Sequence, residues 1–283
     1  MGVVTAPDKP AGRGMKLTES AVKKYAVEKD LYILQPEKLK NPEFLEQLST
    51  LEADLQIVVA FRMLPEMVWN MPAMGTINLH GSILPQYRGA APIHWAVING
   101  EKETGVTTFQ LKHEIDTGGI LLQKSFPIGA DETTGEVHDT MKEIGSALLV
   151  ETVKRLANNS LQKIDQSAVA SGQSSELKHA PKIFTETCQI HWNEPVEKVH
   201  NLVRGLSPFP GALTVLDGKV LKVYRSKKET VSQSDTPGKV LSDGKTFLKF
   251  ACADGYIHIL DLQMEGKKRM LVEDFLRGYR LHG

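Results

Sequence analysis

Leu55-Gln56-Ile57-Val58-Val59-Ala60-Phe61 is a nearly continuous apolar run of strand length. Its shortness and β-branched content predict a strand covered on both faces, as in a parallel sheet held between helical layers. The sequence on either side supports that frame. Residues 2–5 read as the end of an earlier strand, and from Thr18, a capping residue, Ala21, Val22, Tyr25 and Ala26 recur on one helical face. Downstream, Thr76–His80 and 105–111 predict two more strands. Between them 91–98 predicts a helix, with Pro92 in its first turn and Asn99-Gly100 closing it. A long helix over 136–156 carries Val137, Met141, Ile144 and Leu148 at helical spacing. This alternation predicts an open α/β sheet.

The pattern then changes. Residues 158–181 are polar and rich in Ser, Gln and Ala, which predicts a linker or loosely packed connection. An amphipathic helix over 195–206 follows, closed by Ser207-Pro208-Phe209-Pro210-Gly211. Short segments at 212–216, 220–224, 239–241, 246–251 and 256–262 are punctuated by Asp217-Gly218, Asp243-Gly244 and Asp254-Gly255. Short strands joined by Asp-Gly turns predict a small antiparallel barrel or sheet.

A chain of 283 residues, 41% hydrophobic and 24% charged, has room for two cores and the composition of a soluble protein. No stretch approaches the ~18 consecutive apolar residues of a membrane span, and residues 1–10 hold no apolar run of signal-peptide length. A cytoplasmic monomer that touches no membrane is the expectation. Cys188 and Cys252 lack metal-ligand spacing and read as buried thiols; no metal is expected. Acidic and basic residues balance at 34 each, with the basic excess in the second half, a weak pointer to nucleic acid.

Three groups of residues carry possible chemistry. Asn78 and His80 share one face of their strand, at the strand end where parallel sheets bind ligands. An amide and an imidazole presented together suit a developing oxyanion; from the pair alone, a polar strand end satisfied by a neighbouring loop is the plainer reading. Asp116, in Asp116-Thr117-Gly118-Gly119, fits a plain turn, or a carboxylate that orients His80 and keeps it charged. Lys9, Arg13 and Lys16 lie in a basic glycine-containing loop suited to phosphates or simply to solvent.

Together these blocks closely resemble the methionyl-tRNA formyltransferase family along almost the whole chain. The resemblance rests on Ile77-Asn78-Leu79-His80-Gly81-Ser82-Ile83-Leu84-Pro85, Tyr87-Arg88-Gly89-Ala90-Ala91-Pro92-Ile93, Asp116-Thr117-Gly118, Ala180-Pro181-Lys182-Ile183 and Pro208-Phe209-Pro210-Gly211-Ala212. The Asn-x-His-Gly-Ser block with the later aspartate is shared by formyltransferases that use 10-formyltetrahydrofolate. Pro7-Asp8-Lys9-Pro10-Ala11-Gly12-Arg13-Gly14 points to the tRNA enzymes among them.

The resemblance implies a Rossmann-like, mostly parallel α/β domain over 1–166, a linker over 167–188, and a small OB-like β-barrel that binds tRNA over 189–283. It assigns catalysis to Asn78, His80 and Asp116, and folate contact to Ser82, Ile83, Leu84 and Pro85. It assigns tRNA contact to Lys9, Arg13 and Lys16, with Lys267, Lys268 and Arg269 added from the basic second half. The implied substrates are 10-formyltetrahydrofolate and methionyl-initiator tRNA. The implied rivals are a formyltransferase acting on a sugar nucleotide or other small amine, a 10-formyltetrahydrofolate hydrolase, and an inactive RNA- or folate-binding protein.

Two departures stand out. The family's first strand, Gly-Thr-Pro-x-Phe-Ala turn and helix have no counterpart ahead of the Pro7-Asp8 block, so the sheet is expected to carry two unpaired strand edges. In addition, Phe61-Arg62-Met63-Leu64-Pro65 lacks the family's glycine after the aromatic residue.

Overall fold

The computed structural model describes residues 1–11, 16–171, 176–232 and 234–280. Thr76–His80 runs through the first domain's four-stranded sheet. Gln56–Val59 pairs with it in parallel and Glu103–Gln110 pairs antiparallel on its other edge; Ile120–Pro127 extends the sheet antiparallel. The sheet is therefore mixed, within the expected α/β class. The long helix, Thr134–Ala157, starts at a capping box between Thr133 and Glu136 and buries Val137, Met141 and Leu148. Gly145 permits its close approach, since a Cβ there would lie 2.9 Å from Leu79 Cδ2.

The run that predicted a doubly covered strand is covered on one face only. Val58 is buried, while Ile57 and Val59 are 44% and 50% exposed. Among the described residues, Gln56–Val59 pairs only with Thr76–His80. Gly2–Val4 pairs in parallel with Tyr32–Leu34 as a separate two-stranded sheet. A cavity of about 690 Å³, lined by Gly2, Val4, Leu51, Ile57 and Val59, lies between the two pieces. Apolar side chains on both faces of a strand do not ensure that both faces find a cover.

The described parts of the connecting segment are tied to the first domain. Ile164 exchanges backbone hydrogen bonds with Ile120 (both 2.9 Å). Gln166–Ser171 forms a short helix, and His179–Ala180 pairs in parallel with Arg88–Gly89. Polar composition concealed this because the contacts run through backbone groups and one buried amide.

In the second domain, Ala212–Leu216, Lys219–Thr230, Gly255–Met264, Leu248–Cys252 and Val240–Ser242 pair antiparallel in that spatial order, with Met270–Leu271 alongside Gly255–Met264. Among the described residues the two outermost strands are not joined, so the expected barrel is a half-barrel, curled around Val196–Gly205. Asp217 and Gly218 both adopt positive φ, as a tight hairpin turn requires. Cys188 and Cys252 are free and buried; burial raises both thiols, that of Cys252 to about 12. Helix Val196–Gly205 joins the domains by packing on Pro92–Ile98, where a Cβ on Gly205 would come within 2.4 Å of Ile98 Cγ1. Arg204 adds bonds to the carbonyls of Gly129 and Glu132. Among the described residues no helix is long and apolar enough to cross a membrane.

Candidate active site

Ladder bonds on both edges fix Thr76–His80, with Asn78 opposite Val58 and Phe109, and His80 opposite Thr107. Alternation places Asn78 and His80 on one face, and both line a cleft of about 570 Å³ together with Phe61, Gly89, His94 and Asp116. His80 is buried at the strand end. Its Nε2–H donates to the Tyr87 carbonyl at 2.9 Å, which commits that nitrogen. Its Nδ1 faces Asp116 Oδ2 at 3.8 Å, and the ring meets that of Phe109 in a T-shaped arrangement.

Asp116 comes from a distant turn and sits at φ +53°. Its Oδ2 accepts the Gly89 N–H at 2.9 Å, which aims the carboxylate at His80. Gly89 must be glycine: its φ is +127°, and a Cβ would meet the Ala180 carbonyl oxygen at 2.4 Å. The structure thus brings all three sequence-predicted catalytic residues to one cleft.

The expected folate-contacting loop follows directly on Gly81 of the cleft. Ser82, Leu84 and Pro85 are buried, and none of Ser82, Ile83, Leu84 and Pro85 lines this cleft. Ser82 Oγ donates to the Gln86 carbonyl (2.6 Å), and the Leu84 N–H donates to Thr107 Oγ1 (3.1 Å). These bonds turn the side chains inward and brace the loop that carries Tyr87 past His80.

The tRNA candidates divide. Arg13 lies outside the described residues. Lys9 is exposed on a strand that pairs with Lys16–Thr18. Lys267 and Lys268 are exposed at the turn before Met270–Leu271. Arg269 is committed within its own domain: its Nε is 2.9 Å from both carboxylate oxygens of Asp261, and its guanidinium lies over the Tyr224 ring. Sequence spacing did not show that pair because it forms between neighbouring strands.

Residues that sequence reasoning missed hold the site. Tyr87, at φ +60°, directs its carbonyl to His80 while its hydroxyl donates to Glu101 (2.5 Å). Burial, then the Glu101 bond, drives that phenol's pKa well up. Gln166 Nε2 donates to the carbonyls of Asp116 and Gly118. His94 lines the cleft and also a second groove of about 520 Å³ between the domains. Burial lowers its pKa, against the opposing effect of its bond to the Phe209 carbonyl (3.2 Å). The Tyr87-Arg88-Gly89 block was legible as a motif; Gln166 carried no local signal.

Comparison with known proteins fits this geometry. Residues 1–153 match the formyl transferase model, and residues 182–280 match the model of the formyl transferase C-terminal domain. Methionyl-tRNA formyltransferase of Bacteroides fragilis is 51% identical over 99% of this chain and 88% of the relative's length. The chain belongs to the methionyl-tRNA formyltransferase family. The enzyme of that name from Phocaeicola vulgatus is 54% identical over the same shares. Among solved structures, HypX from Aquifex aeolicus in complex with tetrahydrofolic acid shares the fold (TM-score 0.64, 20% identity, 91% of this chain and 45% of that one). So does WlaRD, a sugar 3N-formyl transferase (TM-score 0.63, 18% identity, 87% and 82%).

Proposed function

We propose that this chain transfers the formyl group of 10-formyltetrahydrofolate to the α-amine of methionyl-tRNA. The convergence of Asn78, His80 and Asp116 on one cleft carries the reading. The amine attacks the formyl carbon, a new C–N bond forms, and the bond from that carbon to the folate nitrogen breaks. Charge develops on the formyl oxygen in between. The Asn78 amide donates to it. His80 Nε2 is committed to Tyr87, so Nδ1 is the nitrogen that serves the reacting atoms. Asp116, facing Nδ1, supplies opposing charge and passes the proton lost by the attacking amine towards the leaving nitrogen. Folate carries the one-carbon unit; the protein supplies position and preorganised dipoles.

The interdomain groove supports tRNA as acceptor. It continues from the cleft through Ala90, Ala91 and His94, and is lined by Lys182, Lys222, Phe184 and Phe209. Phe209 is 76% exposed. Lysines with exposed aromatic rings suit the phosphates and bases of a single-stranded acceptor end. Lys267 and Lys268, with Lys9, Arg13 and Lys16, extend the basic contacts of the proposal.

The test gives the purified protein formyl-labelled 10-formyltetrahydrofolate with methionyl-tRNA, free methionine, an amino sugar nucleotide or no acceptor. Label is expected in the tRNA alone. Label in the sugar, or formate released without an acceptor, overturns the substrate assignment.

A further inference from the structure

We infer that Gln166 is a positioning residue for formyl transfer that acts through Asp116. Gln166 is 1% exposed although it lies in a polar, Ser-rich connector. Its Nε2 donates to the carbonyls of Asp116 (2.9 Å) and Gly118 (2.8 Å). Its Oε1 accepts from Arg88 Nε (3.0 Å) and Nη2 (2.6 Å). Both N–H groups and both lone pairs of the amide are thereby used.

The partners are the two loops that build the site. Asp116 Oδ2 takes the Gly89 N–H, and Gly89 adjoins Arg88, so the four residues close a ring: Gln166 to the Asp116 backbone, the Asp116 carboxylate to Gly89, Arg88 back to Gln166. Asp116 holds a left-handed φ, which a non-glycine residue keeps only when its surroundings impose it. Gln166 is the group that imposes it on the carbonyl side. Asp165 fixes the start of the Gln166 helix in turn, accepting the N–H and hydroxyl of Ser167 (both 2.8 Å). Gln166 does not line the cleft, so it orients the carboxylate without touching substrate.

The kinetic test rests on the proposed transfer to methionyl-tRNA; a structural test does not. Gln166→Leu keeps much of the shape and removes all four bonds. It is expected to lower kcat by about 10- to 100-fold, the effect of misplacing a catalytic group by about 1 Å, with KM for either substrate changed by less than about two-fold. In an Asp116→Asn background the same change should alter single-turnover rate by less than about three-fold, because the group it positions is already disabled. Gln166→Glu keeps an acceptor for Arg88 but cannot donate to the two carbonyls, and it carries the same expectation if the leucine variant does not fold. Independently of activity, the variant's crystal structure should show Asp116 out of its positive-φ conformation and its carboxylate away from Gly89. A near-normal kcat, a full further loss in the Asp116→Asn background, or an unmoved Asp116 loop would each overturn the assignment. An unmoved loop does so even if methionyl-tRNA proves not to be the acceptor.

Discussion

Around Thr76–His80 the buried side chains include the polar Thr76, His80, Thr107 and Thr108 beside the apolar Ile77 and Phe109; around Gly255–Met264 they include the apolar Leu221, Leu248, Phe250, Ile257, Ile259 and Leu262. The polar set is hydrogen-bonded: Thr107 donates to the Ser82 carbonyl at 2.7 Å, and Thr108 and Thr152 share a bond of 2.8 Å. A buried hydrogen bond adds only about 1 kcal/mol net, but it has direction. A buried leucine or isoleucine contributes about 1.5–3 kcal/mol without direction. The first domain keeps apolar clusters of its own but sets hydrogen-bonded polar groups beside the cleft, whereas one large apolar cluster holds the second domain together. The contrast extends to coverage, since the first domain's sheet leaves Ile57 and Val59 beside a cavity while the half-barrel core encloses its helix.

The largest expected effects break the contrast at its polar pole. Asn78→Ala, His80→Ala and Asp116→Asn should each cut turnover by about 100-fold or more with little change in melting temperature. Retention of normal turnover by any of them in a folded, active preparation would remove that residue from the mechanism. At the apolar pole, Leu262→Ala should cost about 2–5 kcal/mol in denaturant unfolding while kcat per folded molecule stays put. A kcat loss without a stability loss would show that the second domain shapes the site directly. At the seam, Gly205→Ala pushes a methyl group into Ile98 and should cost about 1–3 kcal/mol, read as a lower urea midpoint.

A smaller effect is set by pH. Burial lowers the pKa of His94 and His200 below their ordinary 6.5. Below pH 6.5 the unfolded chain takes up protons that these buried rings refuse. Stability from this source is therefore fully present above pH 6.5 and is lost as pH falls through the lower folded pKa values. Urea midpoints on either side of pH 6.5 check the sign, and His200→Asn should flatten the slope. The smallest change is expected for Val59→Thr, within about 0.5 kcal/mol, because the side chain is half exposed. A loss of several times that size would mean that this face is covered in the working protein.

The parts legible from sequence were those written in contiguous residues. The Asn78-x-His80 face follows from strand alternation, the Pro92–Ile98 helix from its proline and closing Asn-Gly, and the half-barrel hairpins from their Asp-Gly turns. Legibility failed where a residue's neighbours come from elsewhere in the chain. Nothing in the sequence near Ser82 and Leu84 showed that both would be buried, and Arg269 looked like a free cation but is paired with Asp261.

Sequence alone thus determined an α/β domain followed by a small antiparallel β domain, the family, and the three residues that meet in the cleft. Tertiary structure alone decided that Nδ1 of His80 is the ring nitrogen left facing Asp116, because only the folded chain brings the Tyr87 carbonyl against Nε2. It also decided that a glutamine 50 residues beyond Asp116 holds that aspartate's loop, and that the strand at Gln56–Val59 is covered on one face. The physical reason is the same in each case. Periodicity and turn chemistry are properties of adjacent residues, whereas the partner of a buried polar group, or the cover over an apolar face, is supplied by whichever distant segment the fold brings there.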